Sequence, residues 1–170
     1  SVTMNRAKWL MEKIIKSVDN ELTLLGINHN INKRKENKTS ISFRIGAEGP
    51  LFSKEIERCY VSIEISKREK VAYMQISEIK TLYADLPSFS IVSMAEKEIL
   101  AEKVRALLTR NYARDLYDLY FLLTRKVSMD INLINEKLSY YNKLFNKADL
   151  RKRITEKKEI WESELKSIII

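Results

Sequence analysis

Ser93-Met94-Ala95-Glu96-Lys97-Glu98-Ile99-Leu100-Ala101-Glu102-Lys103-Val104-Arg105-Ala106-Leu107-Leu108-Thr109-Arg110 is the stretch in which the chain changes its hydrophobic period. Before it, apolar and polar residues alternate, the pattern of a half-buried strand. From it onward apolar residues recur at steps of three and four, the pattern of an amphipathic helix. The fold class follows: α+β, with a small mixed or antiparallel sheet and an N-terminal helix ahead of a C-terminal helical bundle. The expected division is an α/β part at 1–93 and a helical region at 94–170. Ser93 and Glu96 stand three apart, the form of a capping box, which predicts a helix start near Met94.

Working back from that point, residues 3–25 predict a helix in which Ala7, Leu10, Ile14, Val18, Leu22 and Leu25 share a face and Gly26 ends the run. Residues 27–35 and 39–45 alternate around the polar Glu36-Asn37-Lys38 and predict a β-hairpin, with Ile41, Phe43 and Ile45 on its apolar side. A third strand is expected at 58–66. There Cys59, Val61, Ile63 and Ile65 point to the core, and Tyr60, Ser62, Glu64 and Ser66 point away from it. Shorter strands are expected at 72–76 and 89–92, with turn residues around Asp85 and Pro87.

Working forward, helices are expected at 94–109, 113–124, 132–145 and 147–168. Ile134, Leu138, Tyr141 and Phe145 stripe the third, and Leu150, Ile154, Trp161, Leu165 and Ile168 stripe the fourth. These two are expected to form an antiparallel hairpin. With the Ile168-Ile169-Ile170 end, residues 127–170 also admit a reading as an oligomerisation or partner-docking element, and the oligomeric state stays open.

Composition narrows the chemistry. The 170 residues are 45 % hydrophobic and 32 % charged, enough apolar material for a core. Gly26, Gly46 and Gly49 are the only glycines and form neither a P-loop nor a dinucleotide-binding turn. A single cysteine, Cys59, and a single histidine, His29, exclude a disulfide framework, a Cys/His zinc site and a Ser-His-Asp triad with any choice of histidine. Carboxylates, lysines and arginines remain. The formal charge of +8 suits polyanionic partners and equally a solvated basic face. No apolar run reaches the roughly 18 residues of a spanning helix, so no membrane is expected and a reducing cytoplasm is the simplest compartment.

Charges in unexpected places mark the candidate site. A helical wheel for 94–110 puts Ile99, Leu100, Val104, Ala106, Leu107 and Leu108 on one arc, with Glu96, Lys103 and Arg110 inside it. Glu98, Glu102, Arg105 and Thr109 take the side expected to be wet. A lysine on an apolar face either snorkels or meets a partner. In the next helix Leu116, Tyr117, Leu119, Tyr120, Phe121, Leu122 and Leu123 read as a buried element around Asp118. Arg114, four residues earlier, suits an ion pair with it. Such a tether needs two charged groups, whereas Lys103, Arg110, Arg114, Asp115 and Asp118 supply five.

The Ser93–Arg110 run, followed by Ala113-Arg114-Asp115-Leu116-Tyr117-Asp118-Leu119, resembles the C-terminal motif of the AbiEii nucleotidyltransferase-like toxins of type IV toxin–antitoxin (abortive infection) systems. Tyr60-Val61-Ser62-Ile63-Glu64-Ile65-Ser66-Lys67-Arg68-Glu69 is similar to the family's central strand, and Tyr83-Ala84-Asp85-Leu86-Pro87 extends the likeness, which spans roughly 41–123. The resemblance implies a nucleotidyltransferase-like fold that moves a nucleotidyl group from an NTP to an acceptor, with tRNA ends the leading class. Lys103 would then contact the triphosphate, Asp118 would support catalysis, and Glu64 would be the third acidic residue and a metal ligand. Arg110, Arg114 and Asp115 would help to bind the nucleotide. Mg²⁺ and NTP are the cofactors expected of the intact protein, and NTP, tRNA and a cognate antitoxin its partners.

One feature of the family is missing from this sequence. Members carry a Gly-Gly or Gly-Ser turn leading into a D-x-D pair, but here no glycines are adjacent and no aspartate has another two positions away. Glu55 and Glu57 have that spacing without the turn. The chain is therefore expected to be the C-terminal portion of a family member, inactive by itself. The alternative is a non-catalytic basic RNA- or antitoxin-binding module. His29 reads as a surface residue and Cys59 as a small buried hydrophobe. Lys33, Arg34, Lys35 and Lys38 read as a solvated hairpin tip, and Arg151-Lys152-Arg153 and Lys157-Lys158 as the wet face of the last helix.

Overall fold

The computed structural model describes residues 2–67, 70–82 and 87–165. The chain forms two compact units divided between Lys70 and Val71. The change from strand to helix near residue 93, expected as the boundary, falls inside the second unit. The class is α+β, and both sheets are antiparallel. Residues 68–69 and 83–86, with Asp85 among them, and the Ile168–Ile170 end lie outside the described residues.

In the first unit a helix, α1 (Val2–Leu24), is followed by three strands, β1 (His29–Glu36), β2 (Ser40–Ala47) and β3 (Cys59–Ser66), in spatial order β1-β2-β3. Gly26 ends α1 as expected. At φ +68° it lets Ile27 N–H reach Leu22 O (2.9 Å) and Gly26 N–H reach Thr23 O (3.0 Å), closing the helix's last carbonyls. Ile41, Phe43 and Ile45 are buried against Ala7 and Met11, with Ile14, Ile15, Val18 and Leu22 packed around them. Met11 thus takes the place in the stripe expected of Leu10, and Leu10 and Leu25 are exposed. Along β3 the core includes Ile63 and Ile65. Val61 and Cys59 are exposed, so the cysteine is not the buried hydrophobe its alternation suggested.

His29 departs from a plain surface residue, since its side chain is only 8 % exposed. Its ring nitrogens face two acceptors, Ile27 O at 2.9 Å and Asp19 Oδ1 at 3.0 Å. The hydrogen bond to Ile27 and then that to Asp19 raise its pKa above the ordinary 6.5. A raised folded pKa stabilises the protonated fold below the unfolded value, and the contribution is lost as pH rises through the folded one. Melting of the native chain and Asp19→Asn is therefore expected to differ at pH 5.5 and to converge by pH 8.

The second unit begins with a hairpin, β4 (Met74–Ile79) and β5 (Phe89–Met94), and continues with α2 (Glu96–Thr109), α3 (Arg114–Thr124), α4 (Ile131–Ser139) and α5 (Lys147–Leu165). The capping box does not form. Ser93 and Met94 pair with Gln75 and Met74 as the end of β5, Ser93 Oγ meets Ser77 Oγ at 2.8 Å, and Ala95 takes the helix N-cap with no side-chain bond. The ladder bonds of the hairpin outweigh a single capping bond.

Helix α2 is the axis of the core. Its Leu100, Ala101, Val104, Leu107 and Leu108 are buried against Leu119 and Leu122 of α3, Leu133, Ile134 and Leu138 of α4, and Leu150 of α5. Helices α4 and α5 both pack on α2, not along each other as the expected hairpin required, and Ile134, Leu138, Phe145, Leu150 and Ile154 of their stripes join this core. Helix α4 stops at Ser139, short of residue 145. Asn142 takes φ 52° and its N–H reaches Ser139 O, while Asn146 Oδ1 accepts from Ala148 N–H (2.7 Å) and starts α5. Among the described residues no helix is long and apolar enough to cross a membrane.

Candidate functional site

Two neighbouring helices and the turn between them bring together four of the five charged residues that stood out in the sequence. Lys103 on α2 places Nζ 2.6 Å from Asp118 Oδ2 and 3.9 Å from Asp115 Oδ1, both on α3. Arg110, at the C-cap of α2, grips Asp115 with two parallel bonds, Nε to Oδ2 at 2.7 Å and Nη2 to Oδ1 at 2.6 Å. A planar fork on a carboxylate is the most directional ion pair a protein can make. The hydrogen bond to Asp115 raises the Arg110 pKa further above its already high ordinary value.

The alternative left open for Lys103 is thereby decided: it meets a partner. The Arg114–Asp118 pair does not form, because Lys103 reaches Asp118 from the neighbouring helix. Arg114 instead lies over the Tyr112 ring at 4.9 Å, with Arg110 at 5.6 Å from the same ring. Exposure divides the cluster. Asp115 is fully buried, whereas the side chains of Lys103 and Asp118 are 28 % and 38 % exposed.

The connecting turn is pinned from α5 by residues that sequence reasoning missed. Glu164 Oε2 accepts from Ala113 N–H at 2.7 Å, and Lys157 Nζ donates to Asn111 Oδ1. Lys157 is fully buried, so its reading as part of a wet face is corrected. Nothing local could have found these contacts, which join residues about fifty positions apart. Tyr112 did leave a signal, an aromatic residue between two arginines in a polar turn.

The wet side expected of α2 is also corrected. Glu98 is fully buried, and its carboxylate accepts from Lys137 Nζ (2.5 Å), Ala72 N–H (2.9 Å) and Tyr73 N–H (2.6 Å). Glu102 stands 3.4 Å from Lys137 and 2.5 Å from Arg105. The face taken for solvent is therefore a buried ion network tying α2 to α4 and to the start of the hairpin. Conversely, α3 is not buried all round: Tyr117, Tyr120, Phe121 and Leu123 are exposed, and Tyr117 leans on Trp161 at 6.3 Å.

Glu64 lies in the first unit, exposed on β3 and opposite Ser42. Of the acidic pairs two positions apart, the one singled out, Glu55 and Glu57, is already engaged. Glu55 accepts from Tyr60 and Arg58, and Glu57 from Ser53, and these bonds hold both carboxyls below the usual range. Among the described residues no three His, Cys, Asp or Glu side chains converge to hold a metal ion, so these residues do not assemble a metal cage.

The model of the nucleotidyl transferase AbiEii toxin family, from type IV toxin–antitoxin systems, matches residues 3–169. The chain belongs to the AbiEii family. The likeness therefore extends well beyond 41–123, from α1 to α5. Searches of curated proteins and of solved structures return no match. Membership makes this a nucleotidyltransferase-like toxin of a toxin–antitoxin system, and such a system implies a cognate antitoxin as partner. In this AbiEii chain Lys103, Arg110, Asp115 and Asp118 form one charged cluster, buried at Asp115 and partly open at Lys103 and Asp118.

Proposed function

We propose that the Lys103–Asp118 pair is the phosphate-contacting part of a site that moves a nucleotidyl group from a nucleoside triphosphate to an RNA acceptor such as tRNA. The observation that carries this reading is a lysine on an apolar helix, held at 2.6 Å by a carboxylate yet open to solvent. An ammonium has three donors. Asp118 takes one, and phosphate oxygens suit the others. In the transfer itself an acceptor hydroxyl attacks the α-phosphorus and pyrophosphate leaves, a step catalysed by positioning and charge stabilisation. Lys103 neutralises charge on the phosphates, Asp118 orients Lys103, and the Arg110–Asp115 fork fixes the spacing of the two helices.

Titration of the chain with each NTP is expected to show binding that weakens at least about tenfold in Lys103→Ala, the scale of one charge-assisted contact. Labelled nucleotide with Mg²⁺ and tRNA is expected to give no incorporation by this chain alone, and robust incorporation would overturn that part. The second reading, an RNA-binding module without catalysis, is favoured by Tyr112 between Arg110 and Arg114 on a pinned turn. NTP binding unchanged in Lys103→Ala, with RNA binding lost in Tyr112→Ala, would establish it instead.

A further inference from the structure

The outer face of the three-stranded sheet carries an arginine whose Nε–H has no acceptor among the described residues. Arg44 sits on β2, the central strand, with Asn32 of β1 and Ser62 of β3 as its register partners. It lies on the face opposite Ile41, Phe43 and Ile45, away from the core. Its guanidinium lies over the ring of Tyr60 at 4.2 Å. That ring is fixed in turn: its hydroxyl donates to Glu55 at 3.0 Å, and its edge lies against the backbone of Gly46. A Cβ on Gly46 would come within 2.8 Å of Tyr60 Cε1 and 2.7 Å of Asn30 Oδ1, so glycine is what lets the ring lie down.

Within this fixed setting Arg44 Nε is buried and has no hydrogen-bond partner. Neighbouring Arg58 offers the contrast. It takes Glu48 and Glu55, leaving neither for Arg44, and no ion pair joins Arg44 to Glu64 among the described residues. A buried N–H without an acceptor is costly, and a cation–π contact does not satisfy it, because the N–H lies in the plane of the guanidinium.

We propose that this sheet face is a binding site for a phosphate group, with Arg44 as its principal contact. The Nε and Nη edge of a guanidinium matches two oxygens of a phosphate. Asn32, Ser42 and Ser62 supply neutral hydrogen-bonding groups for further oxygens, and the net charge of +8 favours such a ligand overall. Pinning the guanidinium on Tyr60 lowers the entropy lost on binding. The phosphate comes either from a nucleotide's polyphosphate or from a nucleic-acid backbone, since both present the same oxygens. The site lies in the first unit and does not depend on the Lys103 reading.

The test uses the full chain with labelled arginine nitrogen at low salt. Inorganic tripolyphosphate and a single-stranded oligouridylate lacking a 5′-triphosphate are titrated separately while the Arg44 Nε–H resonance is followed. A shift with at least one of them is expected, weakened about tenfold in Arg44→Lys, which keeps the charge and loses the fork. Glu64→Gln is expected to strengthen binding by removing the carboxylate of this face. A response to tripolyphosphate identifies the nucleotide source, and a response to the oligouridylate alone identifies the nucleic-acid backbone. No shift with either ligand, or equal affinity in native and Arg44→Lys chains with the same melting temperature, would overturn the proposal.

Discussion

Lys137→Met is expected to destabilise the helical unit by about 3 kcal/mol, toward the lower end of what an uncompensated buried charge costs. Lys137 is 3 % exposed and meets Glu98 at 2.5 Å. Methionine fills much the same volume, so the loss measures the charge, not a cavity. The effect is held toward the lower end because Ala72 and Tyr73 N–H still bond the carboxylate and Glu102 keeps Arg105. Denaturant unfolding followed by helical circular dichroism measures it, and a loss below about 1 kcal/mol would show that the network is not what holds α2 to α4.

The pH dependence gives the same network a second signature. Burial pushes the Glu98 carboxyl up, but the bonds from Lys137, Ala72 and Tyr73 more than offset it and hold the group below its ordinary value. A depressed folded pKa contributes stability that is present above the unfolded value and lost as pH falls through the folded one. In Lys137→Met the buried carboxyl can protonate in acid at little cost. The gap between native and variant chains is therefore expected to close as pH falls below the usual glutamate range, and Lys137→Met/Glu98→Gln to recover part of the loss at neutral pH.

Phe43→Ala is expected to cost about 3–5 kcal/mol, the usual range for emptying a buried aromatic site. Phe43 is 1 % exposed and centres the cluster of Ile41, Ile45, Ala7 and Met11. The first unit runs only from Ser1 to Lys70. A core of that size rarely supplies more than about 3–5 kcal/mol. The variant should therefore lose amide protection through β1, β2 and β3, measured by hydrogen exchange, and with it any phosphate response at Arg44 on the opposite face of the same strand. Retained protection in those strands would show that the unit draws its stability from elsewhere.

Most elements of the first unit were legible because α1, β2 and β3 carry apolar residues at the period of their structure, whereas β1 contributes Ile31 alone. Ile41, Phe43 and Ile45 can point inward together only in a strand, and Gly26 marks the helix end by a conformation other residues resist. The second unit was legible in its helices and misread in their faces. The wheel of α2 assigned Glu98 and Glu102 to solvent because a wheel counts apolar neighbours on one helix and cannot see Lys137 arriving from another. The capping box at Ser93 failed for a related reason, since the pairing of Ser93 with Gln75 claims the same residue for a strand.

At the candidate site the sequence singled out Lys103, Arg110, Asp115 and Asp118, and with the family motif it pointed to phosphate chemistry. It did so because charged groups among apolar ones are conspicuous in any register. The sequence by itself thus determined the class of fold, the Ile41, Phe43 and Ile45 side of the first unit's core, and which charged residues stand out among apolar ones. The tertiary structure alone decided the partners: Lys103 with Asp118, Arg110 with Asp115, Glu98 with Lys137, and an Arg44 Nε that finds no acceptor among the described residues. The physical reason is range. Periodicity and capping act within a few residues of the chain, whereas an ion pair forms between whatever groups the packing of distant elements brings within about 4 Å.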